Sequence, residues 1–216
     1  IWKKIPFSDG WNADISLGQP GMDEREANRG DFENVQQDTL SFPTGVFYDV
    51  DSEKVFVVDQ GNNRVLIWNS LPRDTGQPAD VVIGQKDFVS RSPNMGKGER
   101  RASQESLYFP TDVVAGKTGL FVSDSGNNRV LYWEKIPIEN GQPADMVFGQ
   151  SNFFENKYNR YSQASASTLN DPYGLWLEEE ENPEWIPPEE NSLGEAEGET
   201  LEESSLEESS LEESSL

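Results

Sequence analysis

Apolar positions in this chain fall into short runs separated by polar turn residues. Residues 44–50 (TGVFYDV) predict a first strand, and Asp51-Ser52-Glu53 supplies a turn by composition. Residues 54–59 (KVFVVD) predict a second strand whose centre, Val55-Phe56-Val57-Val58, has no polar alternation. Such a strand must be covered on both faces. Gly61-Asn62-Asn63 tolerates the left-handed backbone of a tight hairpin. Residues 64–68 then predict a third strand, which Pro72 terminates, and residues 79–85 (ADVVIGQ) a fourth. Four antiparallel strands thus occupy residues 44–85.

The pattern recurs. Asp59-Gln-Gly-Asn-Asn-Arg-Val-Leu-Ile-Trp68 returns 65 positions later as Asp124-Ser-Gly-Asn-Asn-Arg-Val-Leu-Tyr-Trp133. A second set of strands is expected over 111–115, 119–124, 129–133 and 144–150. Residues 1–20 match the latter part of the same unit, and Trp2, Trp68 and Trp133 stand 66 and 65 apart. The chain, which begins with Ile, therefore joins the repeat midway and is expected to be a fragment. A third unit opens at Leu169-Asn-Asp-Pro172 with an expected strand over 172–177, then gives way to Glu178-Glu-Glu-Glu. Between units lie polar excursions, 21–39, 86–109 and 151–168, which are expected to be irregular loops.

A repeat of this length predicts an all-β architecture of four-stranded antiparallel β-propeller blades, whose units commonly run about 40–50 residues. The domain organisation is a half blade (1–20), a blade (43–85), a blade (110–150) and an opening strand (172–177), followed by a tail (178–216). Two whole blades are fewer than the roughly 4–8 that close a ring. The ring is expected to be incomplete, its remaining blades missing from this chain.

Three separated blocks carry a resemblance to a known family. They are Pro43-x-Gly45, Val57-Val58-Asp59-x-Gly61-Asn62-Asn63-Arg64-Val65 and Ala79-Asp80-x-x-x-Gly84-Gln85. They recur as Pro110, Val122-Ser123-Asp124-x-Gly126-Asn127-Asn128-Arg129-Val130 and Ala144-Asp145-x-x-x-Gly149-Gln150, with Thr111-Asp112 where the first copy has Thr44-Gly45. Over residues 1–177 the chain resembles NHL-repeat proteins in their long-repeat bacterial form. The resemblance implies a binding or scaffold module that engages a protein, peptide or glycan through rim loops. It favours an extracellular or periplasmic setting. It also brings two alternatives: a Ca²⁺-dependent propeller hydrolase of lactonase or esterase type, and an RNA-binding domain.

Composition narrows these. Cys and His are both absent, which removes disulfides, thiol nucleophiles, the commonest general base and the commonest transition-metal ligand. The expectation is that the chain is not itself an enzyme and holds no cofactor, Ca²⁺ on oxygen ligands staying open as the alternative. The net charge is −23. Residues 178–216 carry sixteen Glu and no Lys or Arg, which leaves −7 on residues 1–177. That balance opposes nucleic acid, since phosphate binding runs on Lys and Arg. No apolar run reaches the 18 or so residues of a spanning helix, so no membrane partner is expected. The tail ends in Leu-Glu-Glu-Ser-Ser copies, a composition that predicts disorder. It reads as a linker, a set of acidic-directed phosphorylation sites or the product of a frame change.

In the repeat signature, Asp59, Gly61, Asn62, Asn63, Arg64 and Trp68, with Asp124, Gly126, Asn127, Asn128, Arg129 and Trp133, are expected to be structural. Asx side chains shape turns, each Arg can pair with a neighbouring carboxylate, and a Trp at one strand position suits packing. The less regular aromatics of the last excursion, Phe153, Phe154, Tyr158 and Tyr161, are the candidate recognition residues.

Overall fold

The computed structural model describes residues 1–2 and 9–178. These form eight strands in two four-stranded antiparallel sheets, with no α-helix among the described residues. The all-β expectation holds at that level. The first sheet runs in chain order through β1 (Pro43–Asp49), β2 (Lys54–Asp59), β3 (Arg64–Trp68) and β4 (Val81–Ile83). The second runs through β5 (Pro110–Gly116), β6 (Gly119–Asp124), β7 (Arg129–Trp133) and β8 (Met146–Phe148). Their registers coincide: Val57 faces Leu66 and Leu66 faces Val82, while Val122 faces Leu131 and Leu131 faces Val147.

Side chains alternate across a strand, so each sheet presents two faces. One face of the first sheet, carrying Phe56, Val58, Val65, Ile67, Val81 and Ile83, shares a core with Val113, Ala115, Leu120, Val122, Leu131 and Trp133 of the second. Leu107 is fully buried in the same core. The other face, with Val55, Val57, Leu66, Trp68 and Val82, packs on Leu40, Leu17, Ala79 and Phe88. This double coverage is why β2 is apolar on both sides. The sheets approach most closely at β1 and β5, where Thr44 Oγ1 donates to the Thr111 carbonyl at 2.9 Å. A Cβ at Gly45 would lie 3.1 Å from the Asp112 Cα, so glycine suits that crossing.

The fourth strands are shorter than expected. Ahead of Val81 the pairing with β3 ends at Asp80, whose N–H donates to the Ile67 carbonyl, while the Ala79 N–H turns away to the Gln37 carbonyl. Beyond Ile83, Gly84 turns the chain at φ +85°, and a Cβ there would lie 2.4 Å from Leu107 Cδ1. Gly84→Ala is expected to cost at least about 1–2 kcal/mol, the penalty of a left-handed L-residue, with the overlap added. Urea denaturation of the intact chain measures it, and a neutral result would refute this account of the corner.

One strand expectation needs correction. Residues 172–177 are not a strand, because the described residues supply no second strand for them to pair with. They are held instead by single bonds: Thr111 Oγ1 and Ser123 Oγ donate to the Pro172 carbonyl, and the Leu175 N–H donates to Asp112 Oδ2. The described part of residues 1–20 likewise contains no assigned strand, although Asp14 and Ile15 both donate to the Ile1 carbonyl. Asp80 donates to the Ile67 carbonyl in the same way one unit later. Residues 179–216, and with them the expectation of a disordered tail, lie outside the described residues.

Candidate functional site

The repeat signature builds a buried polar knot at the same end of each sheet. Asp59 closes β2 and Arg64 opens β3; a 3₁₀ turn (Gln60–Asn62) and Asn63, at φ +53°, join them. Asp59 Oδ2 accepts from Arg64 Nε at 2.7 Å, and both side chains are fully buried. The same oxygen accepts Asn62 Nδ2 at 2.8 Å, and Oδ1 accepts the Ser41 N–H at 2.6 Å. Arg64 spends its remaining donors on main chain: Nη2 on the carbonyls of Gln36 and Thr39, Nη1 on that of Phe88. One guanidinium therefore ties the segment leading into the sheet to the segment leaving it.

The second copy repeats this contact for contact. Asp124 Oδ2 accepts Arg129 Nε at 2.8 Å and Asn127 Nδ2 at 2.7 Å, and Oδ1 accepts the Tyr108 N–H. Arg129 reaches the carbonyls of Ser103, Ser106 and Phe153. Burial pushes both carboxyls above the ordinary Asp range, while the adjacent Arg and the amide of Ser41 or Tyr108 pull the other way. The carboxylate oxygens are thus occupied by protein donors. Among the described residues no group of three or more Asp or Glu is arranged to hold a metal ion.

Trp68 and Trp133 are buried, and each indole Nε1 donates to a carbonyl nine residues on, Gln77 or Gln142, at 3.0 Å. Trp2, in the partial unit, is about half exposed. Gly61 and Gly126 serve close approach rather than a left-handed turn: a Cβ would lie 2.8 Å from the Ser41 carbonyl or 2.6 Å from that of Tyr108.

The excursions, expected to be irregular, share a built turn. Ala27–Gly30, Pro93–Gly96 and Tyr158–Tyr161 are single 3₁₀ turns with consecutive left-handed residues, at Asn28 and Arg29, Asn94 and Met95, and Asn159 and Arg160. Each Asn N–H donates to a leucine carbonyl, that of Leu40, Leu107 or Leu169. Asn28 and Asn62 form a reciprocal amide pair at 3.1 and 2.9 Å, as do Asn94 and Asn127. Sequence reasoning missed this turn. Its signal was the spacing of Asn28, Asn94 and Asn159, 66 and then 65 residues, identical to that of the tryptophans.

Asn63 and Asn128 link one unit to the next. Asn63 Oδ1 accepts the Phe109 N–H, and Asn128 Oδ1 accepts that of Asp171. Their carbonyls accept Nε2 of Gln85 and Gln150. Between this turn and the excursion lies a cleft of about 620 Å³, whose lining includes Glu33, Asn63, Gln85, Arg91, Ser92 and Met95.

The four candidate recognition aromatics divide. Phe153 is partly buried against the core, and its carbonyl holds Arg129. Phe154 (69% exposed), Tyr158 (56%) and Tyr161 (65%) face outward. The two tyrosine rings meet edge to face at 5.6 Å, and Lys157 Nζ lies 4.7 Å from the Tyr161 centroid. No helix among the described residues is long and apolar enough to cross a membrane. No protein-family model matches the chain, and no curated protein aligns with it significantly.

Proposed function

We propose that this chain is part of an NHL-type β-propeller whose excursions form a recognition rim for a protein, peptide or glycan. The observation that carries the reading is the pinning of each excursion by a buried arginine. Loops that must hold exposed aromatics need a fixed base, and Arg129 supplies one beneath Phe154, Tyr158 and Tyr161 by holding the Phe153 carbonyl. Binding residues concentrate on loops positioned by a rigid scaffold. Two sheets of equal size and register, stacked face to face and joined by such loops, support the propeller reading, since blades pack in this way. Further units on either side would complete the ring.

The test is an array of peptides and glycans probed with the intact chain and with a variant whose residues 151–168 are replaced by a short Gly-Ser linker. The intact chain is expected to select a ligand, and the variant to lose it while keeping its far-ultraviolet dichroism. Selection that survives the replacement, or its absence from the intact chain, refutes the proposal.

A further inference from the structure

We infer that the cleft between the Gly61–Asn63 turn and the 85–96 excursion binds a saccharide through neighbouring hydroxyl groups. The inference rests on the recognition-rim reading and places one ligand class at one site. Gln85 lies in the lining and is fully buried. Its Nε2 donates to the carbonyls of Asn63 and Ser92, both at 3.0 Å, which fixes the amide plane. Its Oε1 has no protein partner. A buried oxygen left without a donor is costly, so the site favours a ligand that brings one.

The surrounding groups define the rest of that ligand. Glu33 adds a second acceptor, while Arg91, Lys86 and the Ser92 hydroxyl donate. Arg91 pairs with the Glu33 carboxylate and lies over the Phe32 ring, 4.2 Å from its centroid. An anion has nothing to give Gln85 Oε1 and meets Glu33. An organic cation meets Lys86 and Arg91. Hydroxyls both donate and accept, and satisfy the mixed lining. Val89, Pro93 and Met95 supply an apolar wall for ring C–H groups. The volume falls within the roughly 300–1,000 Å³ of small-molecule sites.

The competing occupant is water alone. Gln19 and Gln150 occupy the corresponding corners and also leave Oε1 unpartnered. The second corner differs at its mouth, however. Asn156 stands where the first has Arg91, and its Nδ2 donates to the Glu99 carbonyl, tying the excursion to the preceding loop through main chain. In the first, two charged side chains bridge the same gap and leave their remaining donors and acceptors toward the cleft.

Saturation-transfer NMR on the intact chain tests this with maltose, cellobiose and N,N′-diacetylchitobiose, alongside tetrapeptides of matched size. At least one disaccharide is expected to show saturable transfer. Gln85→Leu should weaken it by roughly tenfold, the worth of one satisfied hydrogen bond. Ser92→Trp, at an exposed position whose main-chain bond to Gln85 persists, should abolish it, and this variant decides the matter where Gln85→Leu fails to fold. No sugar transfer to the intact chain, transfer unchanged in Ser92→Trp, or transfer to peptides only would overturn the assignment. Sugar failure beside array selection that still depends on residues 151–168 removes this site alone and leaves the rim reading standing.

Discussion

Arg64→Met is expected to lower the unfolding free energy by about 3–5 kcal/mol, the usual cost of stripping one partner from a buried ion pair. The change keeps much of the side-chain volume, so a packing defect is not the main effect. It leaves the Asp59 carboxylate fully buried without its cation, and the carbonyls of Gln36, Thr39 and Phe88 without their donor. Against a typical stability of about 5–15 kcal/mol, that loss is large. Arg64→Lys is expected to recover little of it, because an ammonium cannot reproduce the planar fork that reaches Asp59 and three carbonyls at once. The double change Asp59→Asn with Arg64→Met should cost less than the sum of the two single changes, since it removes the orphaned charge together with its partner. Urea titrations followed by Trp fluorescence read the four variants, Asp59→Asn alone included, against the unaltered chain. A loss below about 1 kcal/mol for Arg64→Met would show that the pair and its carbonyls contribute no more than an exposed ion pair does.

Why this knot was only partly legible in the sequence follows from the distances along the chain at which its parts combine. Asp59 and Arg64 are five residues apart, and the hairpin joining them is specified locally by Asx residues between two apolar runs. A carboxylate partner for Arg64 was therefore within reach of sequence reasoning, as were the bounds of β2, β3, β6 and β7. The three carbonyls that Arg64 clamps lie 24 to 28 residues away, and Asn28 lies 34 residues from Asn62. No local periodicity records such contacts. The same reason explains the excursions: a lone Asn in a polar stretch has no hydrophobic pattern around it, so a turn repeated three times looked like three unrelated loops. β4 and β8 were overextended because Ala79 and Ala144 continue the apolar pattern while their N–H groups donate to the carbonyls of Gln37 and Gln104, and because Gly84 and Gly149 turn the chain just past Ile83 and Phe148.

The leucines that receive those turns offer the second large effect. Leu40, Leu107 and Leu169 occupy corresponding positions, each accepting an Asn N–H at its carbonyl and each filling the space that Gly18, Gly84 or Gly149 leaves open. Their surroundings differ in depth. Leu107 is fully buried in the core shared by both sheets, Leu40 is 8% exposed, and Leu169 is only half-buried. Leu→Ala costs about 2–5 kcal/mol in a core, and more where the cavity cannot collapse. Leu107→Ala belongs at the upper end of that range, because strands from both sheets hold its surroundings in place. Leu40→Ala should fall below it, and Leu169→Ala lowest, since solvent already reaches that side chain. Midpoints and slopes from urea denaturation rank the three, an unchanged slope marking a change in stability alone. Equal losses at Leu107 and Leu169 would mean that the third unit is packed as tightly as the second. A loss at Leu107 under about 1 kcal/mol would mean that the two sheets do not depend on the core they share.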